Sequence, residues 1–177
     1  MLKAISERRV LKFKYQKHGS DDVSENFLEP YLIKEAKNFW YVIGKRINKK
    51  EQKVLTFALD RIHEMQLTDE TFTDSEIDKK NFFKNVVGVT LGEGKPEKVV
   101  LSFSPLQGKY VKTIPIHASQ QIIKETKTEL KISLELVINH ELKMQLLSYG
   151  ENVKVLQPKT LAEEIKAEAK KMVKLYS

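Results

Sequence analysis

Arginine is scarce in this sequence, and the placement of the few present is the first chemical clue. Arg8, Arg9, Arg46 and Arg61 all fall early in the 177 residues, while lysine supplies the rest of the 31 basic side chains. A guanidinium is planar and donates through a fixed fork, so it can grip a phosphate or carboxylate at two points where lysine offers one. The same placement also suits a structural ion pair. The second clue is Phe39-Trp40-Tyr41-Val42, which holds the only tryptophan. On a strand, Trp40, Val42 and Arg46 share one face, and Tyr41, Ile43 and Lys45 share the other. This alternation predicts that Trp40 fills a core. Tyr41 then points outward beside Lys45, with Tyr15 and Arg61 expected on neighbouring strands. Such a surface could stack a base on an aromatic ring and pair its phosphate with a cation.

Other chemistry finds less support. Glu29-Pro30 and Asp60-Arg61 carry charge at strand ends. Paired carboxylates can act as acid and base, but an ion pair between Asp60 or Glu29 and an arginine serves equally well. The four histidines, His18, His63, His117 and His140, show no metal-ligand spacing. There is no cysteine, so disulfides and thiol nucleophiles are excluded, in keeping with a reducing cytoplasm. Gly88 to Lys95 has the wrong glycine spacing for a phosphate loop, and Pro96 follows where Ser or Thr is needed. No nucleophile elbow is present. No catalytic residue, metal or cofactor is therefore expected, and the protein is read as a non-enzyme. The N-terminus is too polar for a secretory signal, and no apolar run is long enough to span a bilayer. The net charge of +7 favours polyanionic partners. It is spread thinly: residues 1–75 hold 14 basic and 12 acidic side chains, and residues 76–177 hold 17 and 12.

The elements that must position these residues follow from periodicity and turn chemistry. A short helix over 2–8 leads into strands near 11–16, 27–35, 39–47, 53–59 and 62–68. Pro30 removes a ladder donor, so the second strand needs an edge or a bulge there. Ile77, Phe82 and Val86 have helical spacing, which predicts a helix over 74–87 ended by Gly88. The remainder reads as strand 99–103, helix 105–113, strands 119–125 and 130–138, helix 140–148, strand 153–156 and a terminal helix. Asn139 should cap the helix it precedes, and Thr160 with Glu163 should form a capping box. The expected fold class is α+β. A small five-stranded SH3/Sm-like β-barrel over 1–75 is followed by a helical linker over 76–98 and a ferredoxin-like βαββαβ module over 99–177.

Several short pieces in order resemble one family. Phe13-Lys14-Tyr15, Glu29-Pro30-Tyr31, Trp40-Tyr41-Val42 and Phe57-Ala58-Leu59-Asp60-Arg61-Ile62 resemble the WYL domain, named for a Trp-Tyr-Leu tripeptide. Pro115-Ile116-His117-Ala118-Ser119-Gln120, Leu146-Leu147-Ser148-Tyr149-Gly150 and Leu156-Gln157-Pro158 resemble its usual C-terminal extension, WCX. The resemblance implies the ligand-sensing part of a bacterial transcription regulator. Its barrel would bind single-stranded nucleic acid or a nucleotide-like effector. It also implies a homodimer. DNA binding would come through a helix-turn-helix that this sequence lacks before Met1, supplied by a trimmed segment or by a partner. The ligand contacts it implies are Tyr15, Tyr41, Arg46 and Arg61, with Trp40, Lys45 and Asp60 as structural or secondary residues. Leu55 and Ala58 stand where the family often has arginines, which makes the site less positive. A protein-interaction module without a small ligand is the alternative.

Overall fold

Alternation from Leu11 onward in the first strand shows how the sequence builds the first sheet. In β1 (Arg9–Gln16), Val10, Leu11, Phe13 and Tyr15 are buried while Lys14 is exposed. The computed structural model describes residues 1–50, 52–73, 78–79, 81–92 and 94–177. A short helix, α1 (Leu2–Ser6), precedes β1 and buries Ala4. Then come β2 (Val23–Ala36), β3 (Phe39–Arg46), β4 (Val54–Ala58), a 3-10 turn at Leu59–Arg61 and β5 (Ile62–Thr71). These form a five-stranded antiparallel sheet in the order β4-β3-β2-β1-β5. β2 and β3 meet through Lys37 and Asn38, both at positive φ (51° and 67°), the geometry of a tight hairpin turn whose twist matches its strands. Leu11, Phe13, Tyr15, Leu28, Val42 and Phe57 form the main core of this sheet. Tyr31 and Phe72 meet Val10 in a second cluster.

Two irregularities shape the sheet. The register between β2 and β3 shifts between Pro30 and Leu32, so Pro30 does sit at a bulge. Gly44 lies opposite it, and a Cβ there would fall 2.3 Å from the Glu29 carbonyl oxygen. Only glycine permits that approach. In β5, the register shifts between the pairs Lys12↔Gln66 and Lys14↔His63, and Glu64 there has φ of 51°.

The second half is α+β in the same broad sense but with a different order. β6 (Glu97–Phe103), α2 (Pro105–Thr113), β7 (Gln121–Glu125), β8 (Leu130–Leu136), α3 (His140–Ser148), β9 (Val153–Gln157) and α4 (Lys159–Leu175) follow in turn. The four strands form an antiparallel sheet, β7-β8-β6-β9. One continuous core joins Val99, Leu101 and Phe103 of β6, Ile132 and Leu134 of β8, and Leu142, Leu146 and Leu161 of the helices. Ser104 caps α2, with Pro105 in the first turn. Asn139 caps α3 as expected, accepting from the Leu142 amide at 2.9 Å. Its side-chain amide also donates to the carbonyls of Val87 and Thr90, both at 2.8 Å. The segment before β6 is thereby strapped to the start of α3. The chain divides into two compact units, 1–82 and 83–177.

Three expectations need correction. Residues 81–85 form hydrogen-bonded turns, not the helix that their spacing suggested; Ile77, the first residue of that pattern, lies outside the described residues. Phe82 instead stacks on Tyr31, with ring centroids 6.1 Å apart, and Val86 is buried. Tertiary contacts thus explain an apolar spacing that looked helical. Thr160 does not cap α4: the helix starts at Lys159 after Pro158, with no side-chain cap. Trp40 does not fill the core. It is 56 % exposed, and its neighbour Phe39 is equally open. Their pairing partners are Ala36 and Glu35 at the β2–β3 hairpin tip, whereas β4 joins β3 only from Tyr41 onward. The hairpin outruns β4, so among the described residues no strand pairs with Trp40 on the side away from β2.

Candidate ligand-binding site

Tyr15 is the last inward-facing aromatic of β1. Its ring meets Phe57 edge-on with centroids 5.0 Å apart, and Phe57 meets Phe13 likewise at 5.2 Å. The Tyr15 hydroxyl accepts a long hydrogen bond, 3.4 Å, from the Ala58 amide. These contacts fix the ring at the end of the core. The 3-10 turn that follows β4 then lays Arg61 across it, with the guanidinium carbon 5.4 Å from the ring centroid. A cation over an aromatic face is attracted by the ring quadrupole.

What Arg61 lacks matters as much. Its side chain is only 25 % exposed. Its Nε is buried with no hydrogen-bond partner among the described residues. Asp60 is close, but its Oδ1 stands 4.0 Å from that nitrogen, too far for a hydrogen bond. Arg9 shows the alternative. Its Nε donates to the Thr68 carbonyl at 2.7 Å, and its outer nitrogens reach Asp69 and Glu7. Arg9 is a structural residue, while Arg61 is held in place with donor capacity unused.

Arg61 opens onto a cleft of about 350 Å³ lined by Gln16, Lys17, His18, Ser20, Asp21 and His63, with Gly19 at the turn. Ligand pockets commonly start near this size. The turn is braced internally: the Gln16 side chain donates to the Ser20 carbonyl, and the Asp22 amide donates to the Ser20 hydroxyl. His63 also borders a neighbouring depression of about 400 Å³ with Lys14, Val23, Glu25 and Glu64. There Lys14 pairs with Glu64 at 2.7 Å. The bulge at Glu64 aims His63 and Glu64 at these two hollows.

The structure brings Tyr15 and Arg61 together, with Asp60 on the exposed side of the same turn. It does not bring the other implied residues to them. Tyr15 is on β1 and Tyr41 on β3, with β2 between, so these are not neighbouring strands. Tyr41 is half-buried opposite Lys34 and Ala58, on the face of β3 away from Val42 and its core. Lys45 follows on that face. Burial also lowers the pKa of Lys34. Arg46 lies at the far end of β4: its amide donates to the Lys53 carbonyl before β4 begins, whereas Arg61 follows the end of β4. A five-residue strand, roughly 17 Å long, separates them. The Arg46 Nε is also buried without a partner among the described residues.

Sequence reasoning missed the turn residues that line the cleft. Their signal was position: His18-Gly19-Ser20 follows Tyr15 closely, between the expected strands 11–16 and 27–35. His63 carried no such signal, because its orientation depends on a bulge. Among the described residues no cluster of His, Asp or Glu could hold a metal ion. Among them, too, no helix is long and apolar enough to cross a membrane.

The site and the two sheets define an α+β protein of two modules, the first presenting a stacked guanidinium in a small polar cleft. Residues 1–67 match the WYL domain and residues 95–173 match the WCX domain. The chain is a WYL-domain protein with a WCX C-terminal region. Comparison with curated proteins gives no match. Among solved structures, a CRISPR Cas-related protein is similar over 99 % of this chain and 49 % of its own, with 13 % identity and a TM-score of 0.59. Proteasome accessory factor B/C of Arthrobacter aurescens is similar over 94 % of this chain and 25 % of its own, with 18 % identity and a TM-score of 0.38. The chain therefore spans between a quarter and a half of the length of these proteins. The likeness to the CRISPR Cas-related protein is one of fold.

Proposed function

We propose that this chain is the effector-sensing region of a bacterial transcription regulator, and that its first module binds single-stranded nucleic acid or a nucleotide-like effector. The observation that carries this reading is Arg61, packed over Tyr15 with a buried Nε that lacks a partner. A buried, unpaired donor on a cation costs stability of about 1–3 kcal/mol. A ligand phosphate or carboxylate would recover that cost. Lys17 adds charge to the cleft, and Asp21 limits it. The sheet order, with β5 returning to β1 after a tight 3-10 turn, supports a small SH3/Sm-like barrel. The order β7-β8-β6-β9 supports a ferredoxin-like second module. Tyr41 and Lys45 would meet the same ligand only if it reached round the outside of the sheet, and Arg46 only if it spanned the length of β4. The reading needs no chemical reaction.

Short labelled oligonucleotides test it by fluorescence anisotropy. Binding should weaken as salt rises, with a slope of roughly 0.7 per phosphate neutralised on a single strand. Absence of binding to varied sequences at low salt, and to mononucleotides in a parallel titration, would remove the proposal.

A second reading, a module that docks another protein, is favoured by one observation. Phe39 and Trp40 stand open at the hairpin tip, and exposed aromatics are common anchors of interfaces. A partner whose binding is lost in Trp40→Ala but kept in Arg61→Ala would support it.

A further inference from the structure

Two neighbouring hollows on the first module treat their cations differently. In the larger, Lys14 is paired with Glu64 at 2.7 Å, and Lys12 on the same strand is paired with Glu25 at 3.0 Å. In the smaller, the cleft onto which Arg61 opens, the side chains of Lys17, His18 and His63 make no hydrogen bond or ion pair among the described residues. Asp21 alone of its lining residues is acidic. The donors reach the cleft from two directions. Lys17 and His18 come from the turn after β1, and Arg61 and His63 come from the 3-10 turn and the start of β5. An imidazole donates from one ring nitrogen even when neutral, and an ammonium donates through three hydrogens.

This set of donors suits more charge than one backbone phosphate carries. Inside a strand, each phosphate has a single negative charge and two free oxygens. A terminal monoester carries about −1.5 to −2 at neutral pH and has three strong acceptor oxygens. The fork of Arg61 can grip two of them, and the third is then left for Lys17 or an imidazole. Size points the same way. A groove that binds a strand follows the backbone over several nucleotides. A cleft of about 350 Å³, with the Tyr15 ring behind its arginine, is near the lower limit for one small ligand. We propose that this cleft is a pocket for a terminal phosphate monoester, so that the first module takes the phosphorylated end of a nucleic acid strand in preference to its internal phosphates. The inference rests on the reading of Arg61 as the anion-binding group of the first module.

The test keeps the two readings apart. One single-stranded oligonucleotide, labelled internally, is prepared with a 5′-phosphate, with a 3′-phosphate and with hydroxyl ends. Anisotropy is compared at about pH 7.5, where the monoester is mostly doubly ionised. One phosphorylated form should bind about tenfold or more tighter than the hydroxyl-ended form. A mononucleotide should displace it, and the matching nucleoside should not. K17Q/H63Q changes two exposed side chains. It should bring the phosphorylated and hydroxyl-ended forms to similar affinity, with the thermal midpoint unchanged. Lys98→Gln, an exposed site on β6, should keep the preference. Equal affinity of all three forms for the unaltered chain overturns the inference and leaves strand binding at Arg61 in place. A preference that survives K17Q/H63Q in full also overturns it, because the cleft is then not its seat. Displacement by inorganic phosphate as readily as by the mononucleotide would make free phosphate the ligand, against a strand end. Binding to none of these probes removes both readings.

Discussion

The two modules treat awkward chemistry differently. Among the described residues, every non-glycine position with positive φ belongs to the first: Arg8, Lys37, Asn38 and Glu64. In the second, that region of backbone space is taken only by glycines. The first also holds two buried guanidinium nitrogens without partners, on Arg46 and Arg61. The second has one such atom, a Glu141 oxygen, and the other oxygen of that carboxylate accepts from the Thr90 amide and hydroxyl. Its apolar residues join in one core, while those of the first fall into two clusters. Strain and unspent donors gather where a fold serves binding, and consistency gathers where it serves stability. That contrast supports the proposal that the first module is the binding half and the second the stable half.

Variants can break this contrast. The largest expected effect is in the second core. Leu134→Ala should cost about 2–5 kcal/mol there, seen as a lower thermal midpoint, with oligonucleotide affinity little changed at temperatures where the chain stays folded. Next is Arg61→Ala, which should cost about 2–3 kcal/mol of binding, the worth of charge-assisted hydrogen bonds. Its thermal midpoint should be unchanged or raised, since an unpaired buried donor is lost. Asn139→Ala should destabilise the second module by about 1 kcal/mol as a lost cap, and should speed amide exchange at residues 87–90, which its side chain now straps. Trp40→Ala should shift stability by no more than about 0.5 kcal/mol. A large loss on unfolding titration would mean that Trp40 is packed after all.

A pH effect should also sort by module. Burial pushes the pKa of His117 down, opposed by a hydrogen bond to the Phe83 backbone. Its Nδ1 accepts from the Ser119 amide at 3.1 Å, so the neutral ring suits the fold. The folded state then binds the proton less readily than the unfolded one. That contribution is full above the ordinary histidine value of 6.5 and is lost as pH falls from there through the lower folded-state value. His117→Gln should flatten this acid-side decline in thermal midpoint.

Much of the fold could be read from the sequence because its signals are local. α2 and α3 fall on 105–113 and 140–148 as expected, since Ser104-Pro105 and Asn139 punctuate them. Alternation placed Phe13 and Tyr15 inward. The failures share one cause, which is that the deciding partner is distant in sequence. Nothing near Trp40 reveals that the β2–β3 hairpin outruns β4. Nothing near Phe82 reveals that its partner is Tyr31. Of the site, Arg61 was legible because it is a rare arginine at a strand end. The resemblance implied that it shares a ligand site with Tyr15, but its contact with that ring and its separation from Tyr41 and Arg46 required the strand order. Of the cleft residues, His63 was hidden because a bulge at Glu64 sets its direction.

The measurement that most directly tests the account is the affinity of a short labelled single-stranded oligonucleotide at low salt for the unaltered chain and for Arg61→Ala. The account predicts that the change lowers affinity by roughly 30- to 150-fold, the equivalent of 2–3 kcal/mol, while the chain stays fully folded. Equal affinity of the two proteins would contradict it, and would move the binding surface away from the guanidinium stacked on Tyr15.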